Sequence, residues 1–571
     1  MNCQNTDDER CMLGWLVCNL GCGKHVTRPK PICRQWTQQA LIFIAAYLGL
    51  DLYSGGGASA IDLYSNGDVE LRWDNTVKYG TAFRLGSRDP KLLADPNADD
   101  GDRNFAPGII SNRFDLYSQL DFSKGRFGFD ASAAAWYDTV YQQKNDNNSA
   151  ATFNPISVPH DEFTHAVRTL HGGNAELVNA FFYGSTELAG MPFSFRVGRH
   201  TLLWGESLFF PDNGIAAGQG PVDEIKVLGN PAAYAKDVFM PVAQTSASLQ
   251  LFPSVTIEAY YQFEWRKTRL PGAGSYFSTA DFFDAGGERF IFSPGQYLFR
   301  ERDITPPSSG QYGIALRWSS GQIDYGLYAL RFNAKDPQIY YRLGIAAGSG
   351  NPPIVTDPSI VDLAIGKVGT YNLVYPQGIE TYGASASGYL GSTNIAAEIS
   401  GRRNMPLVSI PLFVLPGQLA DGKGNPLYAL GDTLHIQVST VTTFARSMLW
   451  DRATLNAEFA VNRRLDVTRN ATALDPTSDK MAAEFRGTFE PTYFGVLPNL
   501  DLTPSLGLGY SFGNSSTDSE NRGGGDIEFG VTAVYRVVWA GNIMLTHFLG
   551  SATRQPLADR DFIRFSIQRT F

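Results

Sequence analysis

The last stretch of the chain alternates apolar and polar residues up to its final position. Ile563, Phe565 and Ile567 share one face of an extended strand, polar residues occupy the other face, and the chain ends at Phe571. Because successive side chains of a strand point to opposite sides, such a strand can face lipid on one side and water on the other. A closing strand with a terminal aromatic residue is typical of bacterial outer-membrane β-barrels. The pattern therefore predicts an all-β fold, a transmembrane antiparallel barrel.

The composition agrees with strands rather than helices as the membrane-crossing elements. Of 571 residues, 43% are hydrophobic and 13% aromatic, and the mean hydropathy is −0.17. Beyond residue 60 no apolar run reaches the roughly 18 residues that a spanning helix needs. In a barrel only every second residue must be apolar, which reconciles a polar average with a membrane location. The net charge of −9 argues against a nucleic-acid partner, which requires a basic surface.

The N-terminal region resembles a secretory signal peptide. An apolar run from Ala40 to Leu50 follows several basic residues, and Ala58-Ser59-Ala60 matches the small-residue cleavage pattern. Eleven apolar residues are too few for a retained helical anchor. We expect cleavage after Ala60, so that residues 1–60 are the signal peptide and residues 61–571 the barrel. All five cysteines lie in the first 33 residues, so the mature chain suits an oxidising compartment.

Period-2 alternation recurs along the mature chain. In the first strand, Val69, Leu71 and Trp73 share one face, whereas Glu70 and Arg72 share the other. The same criterion predicts eighteen strands, with 16 to 20 as the range: 69–85, 112–122, 127–141, 175–185, 193–204, 243–252, 255–265, 311–318, 323–332, 379–389, 394–403, 433–446, 453–462, 480–490, 501–512, 526–537, 542–549 and 561–571.

Short and long connections alternate between these strands. Pro253-Ser254 is a two-residue link, whereas 205–242, 266–310, 333–378 and 404–432 are long. Short periplasmic turns and long outer loops are the pattern of bacterial outer-membrane barrels. We therefore predict a Gram-negative outer-membrane location with both termini in the periplasm. The expected partners are outer-membrane lipid, lipopolysaccharide and the barrel assembly machinery.

Segment 205–242 is the candidate for narrowing the lumen. A barrel of about eighteen strands is wide enough for an aqueous channel, and this segment combines many glycines and prolines with apolar residues. The hypothesis is an inward-folded constriction or plug. A mobile surface loop is the alternative.

Charged and aromatic residues around this segment are the candidates for the substrate path. Charge rings and aromatic surfaces at a pore waist determine what passes. Ordinary lumen ion pairs, and an aromatic girdle on the lipid side, explain the same residues equally well. The candidates are Arg196, Arg199, Trp204, Glu206, Phe209, Phe210, Asp212, Phe239 and Tyr276.

No motif predicts catalysis, a cofactor or a metal site. His160 and His165 are five residues apart, whereas a zinc-peptidase helix places its two histidines four apart. The acidic run from Asp95 to Asp102 approaches a calcium loop, but Gly101 comes one place late and Ala106 stands where a glutamate is needed. A solvated outer loop is the preferred interpretation, and a loosely bound divalent cation bridging lipopolysaccharide is the alternative.

Seven short stretches of the chain form a recognisable set: Asn104-Phe105, Ile110-Ser111-Asn112-Arg113-Phe114-Asp115, Arg196-Val197-Gly198-Arg199, Leu203-Trp204-Gly205-Glu206-Ser207, Asn213-Gly214-Ile215, Tyr260-Tyr261-Gln262-Phe263-Glu264-Trp265 and Ser275-Tyr276-Phe277-Ser278. They resemble one family of proteobacterial outer-membrane proteins, catalogued as domain of unknown function 1302. The Trp-Gly-Glu-Ser stretch is the most specific part, and His200 replaces the glutamine that members have after the Gly-Arg pair.

The resemblance implies handling of hydrophobic compounds. Family members occur beside inner-membrane transporters of the resistance-nodulation-division type, so the resemblance implies such a transporter as a partner. No catalytic residues come with the likeness. The expected function is a channel or transporter for hydrophobic or amphipathic small molecules such as lipids, hydrocarbons or sterols, in either direction. The alternatives are a porin for hydrophilic solutes, a barrel-embedded enzyme and a structural envelope protein.

Overall fold

A computed structural model describes residues 61–346, 348, 353–517 and 523–571. The predicted signal peptide, residues 1–60, lies outside this described part. The strands are β1 Ile61–Asn66, β2 Val69–Arg84, β3 Gly108–Lys124, β4 Phe127–Asp138, β5 Gly173–Leu188, β6 Met191–His200, β7 Val242–Phe252, β8 Val255–Gln262, β9 Arg289–Ser293, β10 Gln296–Arg300, β11 Gln311–Ser320, β12 Ile323–Phe332, β13 Gln338–Leu343, β14 Lys367–Val374, β15 Ile379–Leu390, β16 Thr393–Pro406, β17 Leu412–Phe413, β18 Leu430–Phe444, β19 Arg452–Arg469, β20 Met481–Leu497, β21 Leu500–Phe512, β22 Gly525–Tyr535, β23 Trp539–Leu549 and β24 Phe562–Thr570.

Eighteen of these strands form one closed antiparallel barrel. The order around the wall is β2 to β8, β11, β12, β15, β16 and β18 to β24. The barrel closes where β24 pairs with β2, from Thr76 opposite Thr570 to Arg84 opposite Phe562. The short strand β1 pairs with the start of β2, beside the position where β24 ends. All eighteen predicted strands overlap one barrel strand each, and the predicted fold class is confirmed.

Residues on the two faces of each barrel strand differ in exposure. In β19, Phe459 is 46% exposed while the adjacent Glu458 is 1% exposed; in β22, Phe529 is 54% exposed and Glu528 is 1% exposed. A buried carboxylate beside a bare aromatic ring is the reverse of the arrangement in a soluble protein. Apolar residues therefore cover the outside of the wall, where lipid contacts them, and polar residues face the lumen.

The two ends of the barrel differ in the length of their connections. One end carries only short turns: 125–126, 189–190, 253–254, 321–322, 391–392, 445–451, 498–499 and 536–538. The other end carries segments such as 85–107, 139–172, 201–241, 263–310 and 333–378. This asymmetry and the apolar exterior are those of an outer-membrane β-barrel with short periplasmic turns and long outer loops. The chain is such a barrel, as the sequence predicted.

Five short strands in the long segments form a second sheet. Its order is β17, β13, β14, β10, β9. None of these five strands is among the eighteen predicted from the sequence. The central strand β14 is buried from Val368 to Val374, so its residues show no alternation between an apolar and a polar face, and the period-2 criterion had no signal to detect.

Helices in the described residues are short. They are α1 Asp100–Arg103, α2 His165–Val167, α3 Glu224–Gly229 and α4 Ala235–Val238, with a wider turn at Arg168–Gly172 and single turns at Leu92–Ala94, Val140–Gln142, Ile215–Gly218, Leu363–Ile365 and Ala471–Ala473. None of the helices described is long and apolar enough to cross a membrane. At the outer end, an aromatic cluster around Phe105, Tyr141, Phe163, Tyr276 and Phe562 packs several loops together.

Candidate functional site

Residues 201–241, which we call the lumen segment, connect two adjacent strands of the barrel wall. His200 at the end of β6 pairs with Val242 at the start of β7, so the chain leaves the wall and returns to it at one place. Between these points, the segment hydrogen-bonds to inward-facing side chains of β16, β18, β19, β22 and β24. The segment therefore extends across the lumen to the opposite wall.

Glu398 of β16 holds the first part of the lumen segment. Its carboxylate accepts the backbone N–H of Glu206 at 2.7 Å and that of Ile215 at 2.8 Å. Gly205, directly before Glu206, has a left-handed conformation with φ of +85°, and a Cβ at this position would collide with the Glu398 carboxylate. Only glycine allows the backbone to pass this close. The Trp-Gly-Glu motif thus fits directly over Glu398.

Glu458 of β19 receives three successive backbone N–H groups. Leu208 donates to Oε1 at 3.1 Å, and Phe209 and Phe210 donate to Oε2 at 2.5 and 3.0 Å. A buried carboxylate is costly unless several donors compensate for lost hydration. Here the segment supplies the donors and the wall supplies the charge, so each stabilises the other.

Further polar contacts fix the return path of the segment. Glu528 of β22 accepts the N–H of Ala232 at 3.0 Å, and Arg564 of β24 donates to Asn230 Oδ1 at 2.6 Å. Arg402 of β16 donates to the carbonyl oxygens of Asp212 and Gly214, both at 2.8 Å. Charged side chains from three parts of the wall therefore hold the backbone of the segment.

Lys335, just beyond the end of β12, also contacts the lumen segment. Its ammonium group donates to the carbonyl oxygen of Ala217 at 3.0 Å. Burial lowers the pKa of Lys335 to about 8, an effect that the negative charge of Asp212 opposes. The side chain of Glu206, in the segment itself, is half-buried. Burial raises its pKa, and Ser385 donates to its Oε1 at 3.5 Å.

The structure distributes the predicted aromatic residues over separate clusters. Trp204 packs against Tyr260 and Tyr328 of the wall, with ring centroids 5.0 and 6.0 Å apart. Phe209 stacks on Tyr234 within the segment at 5.5 Å. Phe210 is half-buried next to it. These positions follow the path of the segment and do not form one continuous aromatic patch.

Two other predicted aromatic residues lie apart from that group. Phe239 belongs to a small apolar cluster with Ala216, Val222 and Val238 inside the lumen segment. Tyr276 lies in the outer aromatic cluster, where its hydroxyl donates to the carbonyl oxygen of Arg560 at 2.8 Å. Tyr276 and Trp204 are therefore members of different clusters.

The predicted charged residues also occupy different environments. Arg196 is exposed, on the lumen-facing side of β6, and its guanidinium carbon is 5.9 Å from the centre of the Phe181 ring. Arg199 lies on the other face of β6, away from the lumen, and forms an ion pair with Glu264 at 2.7 Å. Asp212 is exposed, and its backbone carbonyl oxygen accepts a hydrogen bond from Arg402.

The lumen-facing residues of β2 to β6, which we call the facing wall, combine charges and aromatic rings. Arg113 pairs with Asp115 at 2.7 Å, and its guanidinium carbon lies 5.2 Å from the centre of the Trp136 ring. Lys78 is exposed next to them, within electrostatic range of Lys226 in the lumen segment. Cations and apolar ring faces are thus presented side by side.

The wall residues that hold the lumen segment are not among the residues predicted from the sequence. Glu398, Arg402, Glu458, Glu528 and Arg564 all occupy inward-facing positions of predicted strands. A charged residue in the middle of a predicted strand indicates a side chain that makes a contact in the lumen, so these positions could have been identified from the sequence. Its partner was not predictable, because the contacts join residues as far apart as 335 positions.

We expect Glu458→Gln to loosen the lumen segment. The amide has one acceptor oxygen and no charge, so the three N–H groups lose charge-assisted bonds worth about 1.5–3 kcal/mol. That loss raises the displaced fraction of the segment roughly 10- to 100-fold. Single-channel recordings in planar bilayers should show more frequent current steps. Glu70→Gln, on the exposed lumen face of β2, is the matched control, and an equal effect of both changes would contradict the assignment.

The comparisons with known proteins cover nearly the whole barrel. A family model described as "Protein of unknown function (DUF1302)" matches residues 41–571. The chain belongs to the DUF1302 family. No curated protein matches this DUF1302 chain.

Three of the solved structures that are similar to this DUF1302 chain come from two organisms. OccAB4 of Acinetobacter baumannii is 11% identical, with 88% of this chain and 98% of that chain covered and a TM-score of 0.42. The outer membrane channel DcaP of the same organism is 9% identical, with coverage of 89% and 99% and a TM-score of 0.37. Pseudomonas aeruginosa OpdK, solved with vanillate, is 9% identical, with coverage of 88% and 98% and a TM-score of 0.39.

Proposed function

We propose that this chain is an outer-membrane channel for amphipathic small molecules with an apolar body and an anionic group. The path lies between the lumen segment and the facing wall. One observation carries the proposal: cations and aromatic rings alternate on that wall, with Arg113 beside Trp136 and Arg196 beside Phe181. A solute with an apolar body and an anionic group can replace its contacts with water by contacts with these rings and cations.

The cations next to the lumen segment favour an anionic head group. Lys78 and Arg113 of the wall and Lys226 of the segment lie close enough to interact electrostatically, with Asp115 as the opposing carboxylate. Three positive charges at one level of a partly closed lumen attract a carboxylate more strongly than they would in open water. Lys78 and Lys226 are exposed, so contacts of a solute with them are weak enough for release, which conduction requires.

The lumen segment acts as the constriction of this path. Its backbone is bound to buried glutamates of the opposite wall, so it occupies space that an 18-stranded barrel otherwise leaves to water. A larger solute passes when part of the segment detaches from these glutamates. The process requires no covalent step.

We expect the double substitution Lys78→Gln and Arg113→Gln to weaken block by an anionic amphipath. Decanoate should reduce the ion current through the wild-type channel at lower concentration than the uncharged decanol. In the double variant, the half-blocking decanoate concentration should rise about two- to fivefold, because exposed ion pairs contribute up to about 1 kcal/mol. The decanol value should stay unchanged. Equal effects on both compounds would refute the head-group role.

A channel for hydrophilic solutes is the second candidate, and the polar facing wall favours it. Asp121, Asp130 and Arg196 all face the lumen on neighbouring strands, and Tyr183 donates to Asp121 at 3.3 Å. Liposome swelling separates the two functions. Rapid influx of neutral sugars without block by decanoate would support the hydrophilic channel and contradict the amphipath proposal.

A further inference from the structure

Three carboxylates from distant parts of the chain converge at the outer end of the barrel. Asp99 and Asp100 lie at the start of α1, between β2 and β3, and Asp281 lies between β8 and β9. One carboxylate oxygen from each residue is within 4.8 Å of the oxygens from the other two. Backbone hydrogen bonds fix the arrangement, because Asp100 N–H donates to Asp281 Oδ2 and Asp281 N–H donates to the carbonyl oxygen of Asn97, both at 2.8 Å.

The positive charge available to this cluster is smaller than its negative charge. Asp99 forms an ion pair with Arg103. Asp100 accepts neutral N–H donors, from the Asn147 amide at 3.0 Å and the Asn154 backbone at 3.1 Å. Among the described residues, Asp281 forms no ion pair. The three carboxylates are at most 1% exposed and share a single direct cation.

The nearby arginines are bound elsewhere. Arg560 donates to the carbonyl oxygens of Tyr276 and Ser278, both at 2.6 Å, and it reaches Asp281 only through longer-range attraction. Arg84 pairs with Asp102 and Asp559 at 2.6 and 3.0 Å. Neither guanidinium group neutralises the cluster directly.

Three buried oxygens of this cluster have no hydrogen-bond donor in the described part of the chain. They are Oδ1 of Asp99, Oδ1 of Asp281 and Oδ1 of Asn154, and all three residues are 0% exposed. The backbone N–H of Asn154 binds Asp100, so the asparagine belongs to the same group of contacts. A buried acceptor without a donor is costly unless a proton or a metal ion satisfies it.

We propose that Asp99, Asp100 and Asp281 bind one calcium ion that joins the outer loops. Calcium takes oxygen ligands at about 2.3–2.6 Å, so two ligand oxygens on one ion lie at most about 5 Å apart, which the cluster satisfies. The site offers carboxylates and an amide oxygen, not the imidazole or thiolate groups that transition metals prefer. Calcium also tolerates irregular coordination, whereas magnesium demands a near-ideal octahedron.

The ion would connect segments that are far apart in sequence. Asp99 and Asp100 belong to the first outer segment, Asn154 to the second and Asp281 to the fourth. The same segments supply Phe105, Phe163 and Tyr276 to the outer aromatic cluster. The site differs from the calcium loop considered from sequence, because its ligands come from separate loops rather than from one twelve-residue motif.

The test uses the full-length protein in detergent, freed of metal with a chelator and titrated with calcium chloride alone. Calorimetry should show one calcium per chain with a dissociation constant of about 10–1000 µM, and calcium should protect the outer loops from proteolysis. Asp281→Asn should weaken binding at least about 10-fold, because outer-shell partners alone affect metal affinity by about 10- to 100-fold. Asp357→Asn, in a different outer segment, is the matched control and should bind like the wild type.

Three results would overturn the proposal. Absence of calcium binding by the wild-type protein would mean that a proton satisfies the cluster. Equal binding by wild type and Asp281→Asn would place the ion elsewhere, for example on lumen carboxylates. Equal protection by magnesium at the same concentration would contradict the assignment to calcium. If Asp281→Asn does not fold, the same comparison is made with Asn154→Ala. This change removes the uncharged amide, including its N–H donors to Asn97 and to the carbonyl oxygen of Arg289, and it should weaken binding in the same direction.

Discussion

Removal of the lumen segment is expected to raise the single-channel conductance at least about threefold, because an 18-stranded barrel without an inner constriction encloses an aqueous channel. The change replaces residues 204–239 by a short Gly-Ser linker. The barrel should still form, since His200 and Val242 are paired neighbours and a short loop can join β6 to β7. The carboxylates of Glu398, Glu458 and Glu528, which the segment now covers, would be hydrated by lumen water.

A matched control distinguishes this effect from general damage to the outer loops. Shortening residues 415–425 removes a segment whose Asp421 carbonyl accepts the hydroxyl of Tyr340 in the five-stranded sheet. Conductance should then remain near the wild-type value. Heat-dependent gel mobility shows whether the deletion variant still forms a folded barrel. If the folded variant has the wild-type conductance, the lumen segment does not limit ion flow through the pore.

Arg84→Met is expected to lower the free energy of unfolding by about 3–5 kcal/mol, the usual cost of removing one partner from a buried ion pair. Arg84 is 2% exposed at the end of β2. Its guanidinium binds Asp102 at 2.6 Å and Asp559 at 3.0 Å and also donates to the Phe105 carbonyl at 2.8 Å. Methionine would leave two carboxylates without their shared cation, next to the seam where β2 meets β24. Urea unfolding of the detergent-solubilised barrel measures the change.

Arg72→Met provides a control on the same strand. Arg72 is paired with Asp62 at 3.9 Å, and its side chain is 53% exposed, so its loss should cost at most about 1 kcal/mol. Arg84→Lys should give an intermediate value, because an ammonium group keeps the charge but not the fork of donors. Similar unfolding free energies for Arg72→Met and Arg84→Met would contradict a special role for the buried arginine.

The barrel was predictable from the sequence because its signal is local. Lipid and water on opposite sides of the wall impose a period of two on each strand, and Phe459 beside Glu458 illustrates it. Connection lengths are equally visible in the sequence. The strands of the small outer sheet lacked this signal, because a strand such as β14 is buried on both faces and its pattern does not differ from that of any apolar run.

The candidate site was predictable only in part. The sequence predicts that the Trp-Gly-Glu motif and segment 205–242 lie in one functional region, and the structure shows their contacts with the wall. The partners Glu398 and Glu458 follow the segment by about two hundred residues, with Glu398 192 positions beyond Glu206. No local pattern relates residues at that separation, since their contact exists only after the barrel has closed.

The sequence by itself determined the class of the fold, the number of wall strands and the end that carries the long loops, because these depend on the chemistry of each strand with its immediate solvent. The tertiary structure decided which residues meet across the lumen and at the outer end. Asp100 and Asp281, 181 positions apart, become neighbours only because loops from different strands fold over the same rim. Electrostatic contacts between such distant residues depend on how the loops fold over the rim, and the sequence pattern of each strand or loop carries no information about that arrangement.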